Sequence, residues 1–235
     1  MIAARFALPT CLLLALACGG ARAEPSTYAI DPVHTRIVFA IDHAGFSKAL
    51  GAVSGSTGTL RFDPDDWTGA QVEVEIPLAR LDLGDNDWNR ATQARNLLDA
   101  AGHPVAKFVS TRIEPVDARR AIVHGTLALR GVEREVALDV VLNAARRYPL
   151  PPFRRTVGFS ATTAISRADF GITAWKSVVG DRVELRIEVE ASRTRATDGR
   201  DDDGSDMPPT GDAAPGDPDL SPEPGPTPAK EDTAP

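Results

Sequence analysis

The chain has 235 residues, 42% hydrophobic and 25% charged, with a formal net charge of −7 and two cysteines. The charge is unevenly held: residues 196–235 carry eleven Asp and Glu against Arg200 and Lys230, while the stretch from Glu24 to Arg195 is neutral. A neutral domain with an acidic end is unsuited to phosphate backbones, which excludes nucleic acid as the expected partner.

Arg5, the apolar run Phe6 to Ala17 and the small-x-small sequence Ala21-Arg22-Ala23 read as a secretory signal over residues 1–23. The mature chain is then expected to start near Glu24, in the periplasm. The apolar run is too short for a spanning helix. A competing reading makes Cys18, in Leu14-Ala15-Leu16-Ala17-Cys18, a lipidation site that would anchor the mature chain. Cys11 and Cys18 both fall inside the signal, so cleavage before Glu24 leaves neither disulfide nor thiol chemistry. Residues 24–195 suffice for one core-forming domain. Residues 196–235 hold nine of the nineteen prolines and no aromatic residue, the composition of a disordered tail.

Tyr28 to His43 reads as a first strand, with apolar groups at the odd positions Ile37, Phe39 and Ile41 and polar neighbours such as Arg36 and Asp42. His43 continues the apolar face, either as a hydrogen-bonded core residue or as a polar group near a ligand. Gly45-Phe46-Ser47-Lys48 turns the chain, with Phe46 assigned to the lining of the interior. Val53 to Phe62 follows, with Leu60 and Phe62 on one face, and Asp63-Pro64-Asp65-Asp66 is a turn. Ala70 to Leu78 alternates cleanly, Val72, Val74 and Ile76 inward and Gln71, Glu73 and Glu75 outward; Pro77 marks an edge or an end. From Asp85 to Asp99 the period lengthens. Trp88, Ala91, Arg95 and Leu98 recur at helical spacing behind an Asp85 or Asn86 cap, and Gly102-His103-Pro104 ends the helix. Strands resume over 106–113, 121–129, 135–142, 156–165 and 183–191. They carry Phe108, Leu127, Val136, Leu138, Phe159, Leu185 and Ile187 on the inward face. Links as short as Arg130-Gly131-Val132-Glu133 favour antiparallel hairpins.

The expected fold is therefore mainly β: a single eight-stranded antiparallel barrel with one inserted α-helix. Such a barrel encloses side chains plus one small ligand. A two-sheet sandwich has the same periodicity. Catalytic residues and metal ligands are not expected. His34 and His43 are an odd number apart, and neither pairs with His103 or His124 at a spacing that puts two imidazoles on one ion. Gly45-Phe46-Ser47 and Gly158-Phe159-Ser160 lack the second glycine of a hydrolase elbow. In the link before the last strand, Phe170 and Trp175 are expected to close one end of the barrel. Arg167 there either holds the loop through an Arg–Asp contact or meets a ligand head group.

Four motifs, in order, carry a resemblance. They are Ile30-Asp31-Pro32-x-His34-Thr35-x-Ile37-x-Phe39-x-Ile41-x-His43, Leu98-Asp99 through His103-Pro104 to Phe108-x-Ser110-Thr111, Gly125-x-Leu127-x-Leu129-Arg130-Gly131-Val132, and Ser166-Arg167-x-Asp169-Phe170-Gly171-Ile172. Spread over roughly Tyr28 to Ala191, they resemble the YceI-like family of exported lipid-binding proteins. The chain departs from that family's pattern at Thr35 (usually serine), at Val53 and Leu98 (usually aromatic) and at His103 (usually tyrosine). The resemblance implies a lipocalin-like barrel with a helix beside it, holding a long polyisoprenoid chain, quinone-like or prenyl-phosphate-like. The expectation is a non-catalytic periplasmic binder of an isoprenoid-type lipid, without cofactor, making transient membrane contact. A barrel packed with its own side chains and used in protein interaction is one alternative; an enzyme acting on a lipid is another.

Overall fold

The computed structural model describes residues 25–194. The expected signal, Cys18, the start near Glu24 and the acidic segment 196–235 lie outside the described residues. Among the described residues, alternating apolar and polar side chains produce eleven strands: β1 (Ser26–Ile30), β2 (Arg36–His43), β3 (Ser47–Ser54), β4 (Thr57–Asp63), β5 (Asp66–Pro77), β6 (Leu81–Asp82), β7 (Val105–Pro115), β8 (Arg120–Leu129), β9 (Val132–Arg147), β10 (Arg155–Ser166) and β11 (Val179–Arg193). All pairings are antiparallel, in the order β1-β4-β5-β7-β8-β9-β10-β11-β2-β3-β6, and β1 also pairs with β11. The eight strands β1, β4, β5, β7, β8, β9, β10 and β11 thus close a ring. A sandwich would leave edges that this ring does not have.

The first strand is two strands. Tyr28 and Ile30 are buried at even positions, whereas Ile37, Phe39 and Ile41 face inward at odd ones. A period-two pattern cannot change parity without a break. The break is a turn in which Asp31 Oδ1 accepts from the N–H of Val33 at 2.8 Å and of His34 at 3.2 Å. β1 then pairs with the far end of β11, Ile30 opposite Ala191, and β2 with the rest, from Arg36 opposite Glu188 to His43 opposite Val179. The β2–β3 hairpin extends the sheet beyond the ring to β6.

The helix α1 (Asn86–Gln93) is shorter than the expected span of Asp85 to Asp99. Asp85 caps it, Oδ1 accepting from the N–H of Asp87 and of Trp88. Ala94 is extended, and Leu98 and Asp99 donate backwards to Thr92 O and Ala94 O in a compact turn. Leu98 reaches the interior from that turn and not from a helix face.

Two buried clusters hold the barrel. At one end Phe62, Trp67 and Phe159 meet as perpendicular rings with centroids 5.1 to 6.0 Å apart, backed by Ala121, Leu142 and Val157. Towards the other end Val136, Phe170 and Ile172 pack with Leu97, Leu129 and Ile165.

Candidate functional site

Between these clusters the inward side chains fail to meet. They enclose a cavity of about 450 Å³, within the ordinary range for ligand pockets. Its wall takes Ile37, Phe39 and Ile41 from β2, Val72, Val74 and Ile76 from β5, and Phe108 from β7. Leu127 of β8, Val136 and Leu138 of β9, Phe159 of β10, and Leu185 and Ile187 of β11 complete the set expected from parity. Most of these side chains are only half-buried although they point inward, because one side of each touches open space in place of packed atoms.

Sequence reasoning missed several wall positions. Val123, Val140, Ile165, Val183 and Val189 follow the parity of their strands, and Ile113 joins them after a bulge between Ser110 and Arg112 shifts the parity of β7; together they extend the lining along the barrel. Gly51 and Gly125 shape it differently. A Cβ at Gly51 would collide with the Phe39 ring, and one at Gly125 with the Phe108 ring, so each glycine lets an aromatic ring lie across its neighbouring strand. A glycine inside an alternating strand is the signal that was available.

The cavity is closed at the aromatic end, where Phe62, Trp67 and Phe159 are all buried. It reaches solvent at the other, where Trp88 and Trp175 line it while 45% and 58% exposed. Trp88 stands on the first turn of α1 and its ring lies 5.3 Å from that of His43, which also lines the cavity. His43 is thus a polar group at the mouth and not a core residue.

Two assignments are corrected. Phe46 is 93% exposed and outside the wall, because the left-handed pair Ala44 (φ 55) and Gly45 (φ 74) turns it away from the parity of β2. Phe170 is 1% exposed and sits in the Val136–Ile172 cluster, supporting the wall without lining it. Of the pair expected to close one end of the barrel, only Trp175 borders the cavity.

Polar groups are few on this wall: Arg167 and Thr35 are engaged with backbone, Asp42 accepts from the Gly45 N–H, Ser56 Oγ is buried without a hydrogen-bond partner, and His43 stands at the mouth. Arg167 is 5% exposed and spends four N–H donors on backbone carbonyls: Nε to Gly180, Nη1 to Ile172 and Ala174, Nη2 to Val179, all at 2.8 to 3.0 Å. The loop is therefore held by an arginine on carbonyls, and not by the expected Arg–Asp contact. One N–H remains, too few for the two-pronged grip a guanidinium gives a phosphate. Thr35 shares its hydroxyl with the backbone of Glu190. His34, His103 and His124 lie elsewhere, beside Asp31, Asp99 and Glu114 respectively. Among the described residues, no three His, Cys, Asp or Glu side chains are grouped to hold a metal. The arrangement can desolvate a hydrocarbon chain; a buried charge would find no partner in it.

Known proteins agree with this architecture. A "UPF0312 protein" of Pseudomonas savastanoi is 31% identical over 171 residues, spanning 72% of this chain and 85% of that protein. The crystal structure of BcnA from Burkholderia cenocepacia superposes with a TM-score of 0.62 at 22% identity, covering 68% of this chain and 98% of that one. A domain from Saccharophagus degradans, described as polyisoprenoid binding and implicated in plant cell wall breakdown, gives 0.54 at 17% identity, covering 71% and 98%. The pattern of the YceI-like domain matches residues 28–191, from the first strand of the ring to its last, and the chain belongs to that family.

Proposed function

We propose that this protein is a non-catalytic carrier of a long apolar chain of the isoprenoid class, exported to the periplasm by a signal over residues 1–23. The carrying observation is the 450 Å³ cavity with an almost wholly aliphatic and aromatic wall. Native interiors are packed as densely as organic crystals, and large voids in them lose the contacts that packing supplies. A barrel filled by its own side chains would not keep such a space, so the cavity favours a ligand over the packed, purely interacting barrel. Each CH₂ taken from water gains about 0.8 kcal/mol, so a chain of many carbons holds well without a polar anchor. A bilayer offers the same gain, and a near-balanced exchange suits a carrier better than a store.

The membership in the YceI-like family and the fold shared with a polyisoprenoid-binding domain support the same reading. So does the engagement of Arg167 and Thr35 with backbone groups, which takes two of the wall's few polar side chains out of reach of a ligand. The test is solvent extraction of gently purified full-length protein, with mass identification of what is released. A long isoprenoid in near-stoichiometric amount is expected. Protein that emerges empty from a membrane-rich lysate, and does not take up added polyprenol or quinone, would sink the reading.

A further inference from the structure

The mouth carries apolar surface that the fold does not use. Phe46 stands at the tip of the β2–β3 hairpin, 93% exposed, and touches nothing that its burial would stabilise. Trp175 and Val178 are exposed on the neighbouring loop, and the two segments are tied by Ala44 N–H donating to Val178 O. Both tips hold a non-glycine residue in the left-handed region, Ala44 at φ 55 and Trp175 at φ 59. Strained backbone of this kind persists where the surrounding structure holds it, and clusters at functional sites. Trp88 and Trp175 belong to the rim and to the cavity wall at once, so apolar surface leads from solvent to the interior beside the polar Asp42 and His43. Lys176 follows Trp175, the aromatic-plus-lysine pairing that suits the headgroup level of a bilayer, whereas Lys48 beside the hairpin tip is already ion-paired with Glu184.

The geometry points to this rim as a membrane-docking face. Phe46, Trp175 and Val178 enter the boundary between headgroups and acyl chains, and the isoprenoid slides between bilayer and cavity past Trp88 without crossing water. This rests on the carrier reading of the cavity. A rival surface lies at the closed end, where Arg146, Arg147, Arg154 and Arg155 flank exposed Leu150 and Phe153 on the β9–β10 hairpin. Arg155 stands directly opposite Arg147, and neither has an ion pair among the described residues. That end would favour an anionic surface, yet docking there would turn the mouth away from the bilayer.

The test uses the full chain with phosphatidylcholine vesicles, with and without phosphatidylglycerol, read by flotation and by tryptophan quenching from brominated acyl chains. Binding to neutral vesicles is expected, with quenching. The variant Phe46→Ser/Val178→Ser alters neither wall residue nor backbone bond; it should weaken binding about tenfold or more through lost apolar contact, with circular dichroism and extracted lipid unchanged. Undiminished binding by that variant, or no binding by the wild type, overturns the proposal. So does binding that needs phosphatidylglycerol and disappears in Arg146→Gln/Arg155→Gln, which would assign docking to the closed end. Wild type that docks through the rim but yields no lipid leaves the docking face standing and removes the carrier reading; lipid-loaded protein that never docks does the reverse.

Discussion

Arg167 shows how far a single residue can be read without its surroundings. Its place in a Ser-Arg-x-Asp-Phe-Gly stretch marks it, but its partners are carbonyl oxygens of Ile172, Ala174, Val179 and Gly180, which have no side-chain identity for a sequence to reveal. Those four acceptors come from two segments, the 171–174 loop and the start of β11, so the guanidinium fastens the mouth loop to the barrel. A planar fork with fixed donors does this; a lysine ammonium cannot reach the same set. Arg167→Lys should therefore lose roughly 3 kcal/mol of unfolding free energy, from buried carbonyls left without donors. Urea denaturation would measure it as a lower midpoint with an unchanged slope. A loss below about 0.5 kcal/mol, within ordinary surface-substitution noise, would mean the loop is held by other contacts.

Among the elements, the informative failure is the first strand. The apolar positions were legible one by one, but the shift from even Tyr28 and Ile30 to odd Ile37 and Ile41 required a turn at Asp31 that the alternation itself hides. Turn direction is likewise invisible to periodicity, which is why Phe46 left the wall. The helix was overestimated for a related reason: Leu98 recurs at helical spacing, yet arrives there from a backbone turn after Gln93. The Asp31 turn has its own electrostatic signature. His34 Nδ1 lies 2.8 Å from Asp31 Oδ2, and this hydrogen bond holds the imidazole pKa above its ordinary 6.5. Burial pushes the Asp31 carboxyl up, but the hydrogen bonds from His34 and from the Val33 and His34 N–H groups outweigh it, and its pKa falls below 3.8. For the histidine, whose folded value is raised, the stabilising contribution is complete below 6.5 and lost as pH rises through the raised value. For the carboxylate, whose value is depressed, it is present above 3.8 and lost as pH falls through the lowered one. The turn is thus tightest in the acidic range between them. Proton NMR titration should give His34 a midpoint above 6.5 in the wild type and near 6.5 in Asp31→Asn; equal midpoints would show that the pair does not form in solution.

At the scale of the whole molecule, a single antiparallel β-domain and most of the inward set were legible, because one-sided alternation leaves few ways to bury so many apolar faces. Closure into a ring rests on the β1–β11 pairing, which a sandwich of the same periodicity would lack. The emptiness within was not legible, since the same pattern describes a packed barrel. Side-chain volumes decide between them, and Gly51 and Gly125 alter those volumes without altering the alternation. Ile41 tests which barrel this is. It faces the cavity near the open end, opposite Val183 on β11, while Val38 on the same strand is exposed on the outer face. An unpaired carboxylate at position 41 would cost several kcal/mol in a dry packed core. In a cavity with an open mouth, water can follow the charge once the ligand has left, and the cost falls. Ile41→Asp should therefore remain folded by circular dichroism yet yield no extractable lipid. Val38→Asp, two faces of one strand being independent, should keep both the fold and the lipid. An Ile41→Asp chain that fails to fold, together with wild-type protein that carries no lipid, would replace the carrier with a packed barrel.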